Sequence, residues 1–218
     1  YGVWSFNDTT GGWSYTLDNT RIVVQELNDG DTVTERLQVE SIDGTDNETV
    51  TVTITGTNDT PVFGGTLTGS VTEDDAVTTS SGTATISDAD DAESSFVDAL
   101  VAGTYGSLSI TDNGDGTASW TYTLDNTDGD TEALNAGDIT TDGMTVTAFD
   151  GTTQDITITI TGANDVATIS GGNAGALTED DAVVTESGDL DIADVDDGET
   201  VFQNPGSLAG TYGIFTFD

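Results

Sequence analysis

The sequence predicts an all-β chain made of tandem β-sandwich repeats, and three observations support this prediction. An offset of 106 residues carries ITGTND (54–59) onto ITGAND (160–165) and VTEDDAV (71–77) onto LTEDDAV (177–183). Several segments alternate β-branched and polar residues with a period of two, and Asp-Gly turns separate them. A period near 100 residues is the size of one β-sandwich domain, so we expect a window on a tandem array.

Four segments predict individual strands. The segments 11–19 and 119–126 match each other, and the segments 49–56 and 155–162 alternate aliphatic residues with Thr. The residues expected on the inward faces are Trp13, Tyr15 and Leu17, then Val50, Val52 and Ile54, then Trp120, Tyr122 and Leu124, then Ile156, Ile158 and Ile160. The predicted turns are Asp29-Gly30, Asp43-Gly44, Asp115-Gly116 and Asp150-Gly151.

The repeat boundaries should fall where a strand ends and polar residues follow, near residues 57–61 and 163–166. Residues 1–56 would then be the C-terminal half of one repeat, residues 57–162 a complete repeat, and residues 163–218 the N-terminal half of the next. A half sandwich exposes its core and is not stable alone. We therefore expect the continuing chain, or adjacent copies that exchange strands, to complete the two halves, with residue 218 near residue 1 of its neighbour.

The composition excludes several function classes. The chain has 41 acidic residues, two basic residues and no His or Cys, which gives a net charge of −39. No basic patch for nucleic acid can form, and direct membrane insertion is not expected because no apolar run could span a bilayer. Ser-His and Cys-His nucleophiles are impossible, and zinc or iron–sulfur sites lack their usual ligands. Pairs of carboxylates repeated in every unit argue against an enzyme.

Three acidic clusters recur at the same offset. They are Glu73-Asp74-Asp75 with Glu179-Asp180-Asp181, Asp88-Ala89-Asp90-Asp91 with Asp194-Val195-Asp196-Asp197, and Asn58-Asp59 with Asn164-Asp165. Carboxylate and amide oxygens are the ligands of Ca²⁺, which takes about six to eight of them. Solvated acidic turns are the alternative, but recurrence of three different clusters favours metal.

The order of these motifs resembles a cadherin repeat: VTEDDAVTTSSGTATISDADD (71–91), then YTLDN (122–126), an Asp-Gly turn, and a TVTVTITGTNDTP segment (49–61). More closely, it is similar to the VCBS and cadherin-like repeats of giant secreted RTX adhesins. The resemblance covers the whole window. It implies an Ig-like, cadherin-like Greek-key β-sandwich of about seven strands per repeat, with Ca²⁺ bound between successive domains.

The resemblance also implies a ligand set for each junction. The first junction would use Asp18, Asn58, Asp59, Asp88, Asp90 and Asp150, and the second would use Glu73, Asp125, Asn164, Asp165, Asp194 and Asp196, with Glu179 the counterpart of Glu73 in the following repeat. Three departures predict fewer ions per junction than in cadherins. Asn19 and Asn126 stand where cadherins have an acid, Gly56 and Gly162 replace a linker Asp, and Val166 replaces the proline seen at Pro61.

The function that follows is a non-catalytic, calcium-stiffened extender of a large secreted or cell-surface adhesin, of the kind that acts in biofilms. Its partners would be neighbouring repeats or adjacent copies, with a cell-surface or glycan target reached through other domains. Two alternatives remain open. One is a self-assembling extracellular filament, sheath or surface-layer subunit. The other is a carbohydrate-binding module that uses Trp13, Trp120, Tyr15 and Tyr122, although matching strand positions predict that these aromatics are core residues.

Overall fold

A computed structural model describes residues 1–180, 182 and 185–217 of the 218-residue chain. It confirms the all-β class, with 45% of residues in strands and 4% in helices. In the described part, no helix is long and apolar enough to cross a membrane. Two positions named above, Asp181 of the Glu179-Asp180-Asp181 cluster and Asp218, lie outside the described residues.

Residues 1–56 form two separate hairpins joined by a short helix. Strands β1 (Gly2–Phe6) and β2 (Trp13–Leu17) pair antiparallel, and so do β3 (Thr32–Glu40) and β4 (Asn47–Thr55). Helix α1 (Ile22–Gln25) connects the two hairpins. The predicted strands at 11–19 and 49–56 coincide with β2 and β4.

Residues 57–162 form two sheets. The first sheet has the strand order β5-β7-β10-β9-β8, and the second has the order β11-β12-β6. The bounds are β5 (Val62–Gly65), β6 (Thr68–Thr72), β7 (Thr79–Ser87), β8 (Ala99–Ala102), β9 (Gly106–Asp112), β10 (Thr117–Leu124), α2 (Gly129–Glu132), β11 (Ile139–Thr147) and β12 (Thr153–Thr161). Strand β6 runs parallel to β12, and the other named pairs are antiparallel.

The two sheets of residues 57–162 share one hydrophobic core. The five-stranded sheet contributes Leu108, Trp120 and Tyr122, and the three-stranded sheet contributes the alternating isoleucines of β12. The indole N–H of Trp120 donates to the carbonyl oxygen of Thr66 (2.8 Å), so its one polar atom is satisfied inside the core. This part of the chain is therefore sandwich-like, as its alternation predicts.

The described part of residues 163–217 forms two short hairpins. Strands β13 (Thr168–Gly171) and β14 (Leu190–Ala193) pair antiparallel, as do β15 (Leu208–Ala209) and β16 (Ile214–Phe215). Apolar side chains remain exposed on these hairpins, including Ile169, Leu208 and Ile214.

The core assignment of the aromatic residues is confirmed at Trp120 and Tyr122, whereas Trp13 is exposed within residues 1–56, the half repeat that is expected to expose its core. Trp120 and Tyr122 are 1% and 0% exposed, whereas Trp13 is 50% exposed. The second sheet covers Trp120, but the β1–β2 hairpin has two strands only, and the aromatic neighbour of Trp13 is Trp4, at a ring-centroid distance of 5.7 Å. Burial at this position therefore depends on a covering sheet, which an identical strand pattern does not guarantee.

Candidate functional site

The first junction is the cluster formed where β4 leads into the second repeat. The linker lies against the loop after β7, because the Asp59 N–H donates to Oδ2 of Asp90 (2.6 Å), whose own N–H donates to Oδ1 of Asp88 (3.1 Å). The amide of Asn58 donates to Oδ2 of Asp150 (3.3 Å), in the turn between β11 and β12. Five of the six predicted ligands of this junction are thus brought together.

Several oxygen atoms of the first junction are buried without a hydrogen-bond partner among the described residues. They include Oδ2 of Asp88, Oδ1 of Asp90 and Oε2 of Glu93. Burial raises the pKa of Glu93, and the neighbouring carboxylates of Asp90 and Asp88 raise it further. An unpartnered buried carboxylate oxygen costs free energy, so this arrangement favours occupation by a cation.

The second junction repeats this arrangement where β12 leads into the third repeat. The Asp165 N–H donates to Oδ2 of Asp196 (2.9 Å), and the Asp196 N–H donates to Oδ1 of Asp194 (3.2 Å). The Ala163 N–H donates to Oε2 of Glu73 (3.1 Å), which ties the linker to the segment after β6. The equivalent bonds lie 106 residues apart, so the two junctions share one local geometry.

Burial and neighbouring charges raise the pKa values of three carboxylates at the second junction. Burial, followed by the charges of Asp165 and Asp74, raises the pKa of Glu73, which is only 1% exposed. Burial and the same two aspartates raise the pKa of Glu132, and burial followed by the charges of Asp74, Asp196 and Asp194 raises that of Asp165. Within the described chain, Oε1 of Glu73, Oδ2 of Asp165 and Oδ1 of Asp196 have no hydrogen-bond partner.

Three predicted ligands do not join either cluster through a described contact. Asp18 and Asp125 instead accept hydrogen bonds from Thr20 and Thr127, which lower the pKa of both aspartates. Glu179 is exposed. At Asn58 and Asn164, the side-chain amide also donates to the carbonyl oxygen of the next residue.

A further element, which the sequence interpretation did not include, reaches both junctions. We call residues 24–28 and 131–135 the crossover turns. Each begins with the last two residues of the short helix, α1 or α2, and continues beyond it. Within the described residues, Oδ1 of Asn28 and Oδ1 of Asn135 are buried and unpartnered. The first crossover turn contacts the next repeat directly, because the Asn28 amide donates to the carbonyl oxygen of Asp91 (3.1 Å). The sequence contains one indication of this element, because Asn28 and Asn135 occupy equivalent positions in the first and second repeats.

The donor set suits a hard divalent cation, because it consists of carboxylate, amide and carbonyl oxygens. The unpartnered buried oxygens show that the residues fit such an ion chemically. Their side chains are not converged, however: among the described residues, no group of three or more His, Cys, Asp or Glu is arranged to hold a metal ion. Ion binding would therefore require the acidic side chains to move toward one another.

Comparison with known proteins does not assign the chain to a family. No family model matches the chain, and no curated protein matches it.

Proposed function

We propose that this chain is a calcium-stiffened extender region of a large secreted or cell-surface adhesin, with Ig-like, Greek-key repeats and no catalytic role. The observation that supports it best recurs at two equivalent junctions, where buried carboxylate oxygens have no hydrogen-bond partner in the described part of the chain. Each junction joins oxygens from a linker and from the loop of the following repeat. These are the positions at which one cation can fix two successive domains.

The proposed mechanism is electrostatic. A net charge of −39 opposes close approach of acidic loops. At the junctions, burial and, after it, neighbouring carboxylates raise the pKa values of Glu73, Glu93 and Asp165. A divalent cation removes the repulsion and supplies the partner that the buried oxygens lack. Sites with dissociation constants of about 10⁻⁴–10⁻³ M fill at extracellular calcium concentrations and stay empty in the cytosol. The chain would then become stiff only outside the cell.

The test is a calcium titration of the wild type and of the double variant Asp88→Ala with Asp90→Ala. We expect calcium to raise the melting temperature of the wild type, and the double variant to lose the part of this effect that comes from the first junction. The matched control is Asp115→Ala with Asp155→Ala, which removes two exposed carboxylates whose partners are threonines. A calcium response that is equal in all three proteins would contradict the proposal.

A self-assembling extracellular subunit is the second candidate. The observation that favours it is the exposed apolar surface of residues 1–56, where Trp13 is 50% and Ile22 is 71% exposed. Another copy could cover this surface by strand exchange. Sedimentation across a range of protein concentrations tests this candidate, since assembly requires the mass to rise with concentration, and an extender remains monomeric.

A further inference from the structure

Strands β2 and β4 each leave one edge unpaired in the described part of the chain, although their counterparts in the second repeat are paired on both edges. Strand β10 lies between β7 and β9, and β12 lies between β11 and β6. In contrast, β2 pairs with β1 alone, and β4 pairs with β3 alone. The two open edges are therefore those that the counterparts of β7 and β6 would occupy.

Uncovered side chains lie beside these open edges. Trp13 of β2 is 50% exposed, whereas its counterpart Trp120 in β10 is 1% exposed. Thr53 of β4 is exposed, whereas its counterpart Thr159, which lies beside β6, is half-buried. An open strand edge next to apolar surface is a template for pairing with another strand. Residues 1–56 thus present a surface that is suited to added strands.

The segments equivalent to β6 and β7 occur in the third repeat, but they are not paired there as β6 and β7 are. The offset of 106 residues carries β6 onto residues 174–178 and β7 onto residues 185–193. Residues 174–178 are exposed and belong to no strand, and the last four residues of 185–193 form β14. Leu177 is 57% exposed, whereas its counterpart Val71 in β6 is 6% exposed. The chain therefore carries both the open edges and the segments that match them.

Two glycines make this match specific for a tryptophan. In the second repeat, a Cβ atom at Gly69 of β6 would lie 3.0 Å from Cη2 of Trp120, and a Cβ atom at Gly82 of β7 would lie 2.7 Å from its Cζ2. The indole ring thus uses the space that a larger residue at either position would fill. The same offset carries Gly69 onto Gly175 and Gly82 onto Gly188. Both glycines that accommodate an indole are therefore retained in the two segments of the third repeat.

We propose that residues 1–56 are a docking surface for a second copy of this chain, whose residues 174–178 add to β4 in parallel and whose residues 185–193 add to β2 antiparallel. Trp13 then lies against the two glycines of these segments. This inference rests on the second candidate function, the self-assembling subunit, and deepens it by naming the strands that pair. The open edges and the added segments are different parts of the chain, so successive copies join head to tail into an open filament.

The register of β6 on β12 determines which residues meet between copies. Thr159 lies opposite Ser70, so Thr53 should lie opposite Ala176 of the second copy. The chain has no cysteine, so a disulfide between the single-cysteine proteins Thr53→Cys and Ala176→Cys must join two copies. Opposite residues of paired strands lie within the Cα separation of a disulfide, about 4.4–6.8 Å. The register control pairs Thr51→Cys with Ala176→Cys, because a shift of two residues displaces the Cα atom by about 6.6 Å along the strand.

The two proteins of each pair are mixed under oxidising conditions in chelator, with salt added to screen the repulsion between acidic chains. One protein carries an isotope label, so mass spectrometry identifies the mixed disulfide. We expect the matched pair to give at least tenfold more mixed disulfide than the register control. Equal yields from the two pairs would overturn the proposal.

Sedimentation of Gly175→Val tests the same contact without a disulfide. The three atoms nearest to a Cβ atom at Gly175 all belong to the flexible side chain of Glu186, so the single chain should tolerate the change. The matched control is Gly213→Val, because a Cβ atom there has no neighbour within 4 Å among the described residues. The mass of the wild type and of Gly213→Val should rise with concentration, whereas Gly175→Val should remain monomeric.

The outcomes separate this inference from the candidate function on which it rests. A wild type that stays monomeric at every concentration would refute both the docking surface and the self-assembling subunit. A wild type that assembles, while Gly175→Val assembles equally well, would refute the docking surface alone. Because all of these measurements are made in chelator, the calcium titration of the junctions tests the extender independently.

Discussion

The most specific structural prediction concerns Gly162, whose Cα faces the backbone of the crossover turn. In Gly162→Ala, the new methyl group would lie 2.4 Å from one carbonyl oxygen, 2.7 Å from a second and 2.8 Å from Cβ of Leu134. An ordinary van der Waals contact begins near 3.4 Å, so the turn or the linker must move by about 1 Å. Neither partner is a flexible side-chain end, which means that the backbone itself must shift. Overpacking of this kind costs about 1–3 kcal/mol.

The matched control is Gly143→Ala in strand β11, because a Cβ atom there has no neighbour within 4 Å among the described residues. Alanine is favoured over glycine inside a strand by about 0.5–1 kcal/mol, so the control should be neutral or slightly stabilising. Urea unfolding of both variants in chelator gives the two free energies directly. We expect Gly162→Ala to be less stable than Gly143→Ala and to bind calcium more weakly. Equal stability of the two variants would refute the reasoning.

Three other predictions follow from the charges and the core. In chelator, the unfolding free energy should fall as pH rises above the ordinary carboxyl pKa of about 4, because the pKa values of Glu73, Glu93, Glu132 and Asp165 are raised in the native state, which therefore holds protons that the unfolded state has released. A calorimetric stability that rises with pH there would contradict this prediction. Trp120→Ala should lower the free energy of unfolding by about 3–5 kcal/mol in a denaturant titration, and Trp13→Ala should lower it clearly less, because the two side chains are 1% and 50% exposed. Equal losses of stability would show that Trp13 is covered in solution. Magnesium should raise the melting temperature less than calcium does at equal concentration, since it requires a tight octahedron of ligands at about 2.0–2.1 Å. Equal stabilisation by the two ions would show that cations only screen the carboxylate charges and occupy no defined site.

Much of the fold could be predicted because alternation directly reflects sheet geometry. The Ile156, Ile158 and Ile160 series is fully buried in β12, as a period of two requires. Burial at Trp13 could not be predicted in the same way, because it depends on a second sheet rather than on the strand. Sequence patterns predict which side of a strand is apolar, but they do not say whether anything covers it.

The candidate site, like the fold, could be predicted from the sequence only in part. The contacts of Asp59 with Asp90 and of Asp165 with Asp196 lie at the predicted clusters, because the motifs sit at strand ends that the fold brings together. The crossover turns were missed, since Asn28 and Asn135 are single residues in segments without an acidic motif. Their role depends on the close packing at Gly56 and Gly162, which is visible only in three dimensions. Gly56 and Gly162, which stand where the resemblance has a linker Asp, are thus the positions where the backbone of the crossover turns comes close.

If cations fix the angle between successive repeats, the distribution of distances across the second junction must depend on calcium. The chain has no cysteine, so Thr121→Cys and Ser170→Cys would place two spin labels, one at an exposed position of β10 and one at an exposed position of β13. Pulsed electron paramagnetic resonance then measures the label distances with calcium and with chelator. We predict a narrow distribution in calcium that broadens in chelator, and no narrowing in the variant Asp194→Ala with Asp196→Ala. Distributions of equal width in calcium and chelator would contradict the claim that cations stiffen this chain.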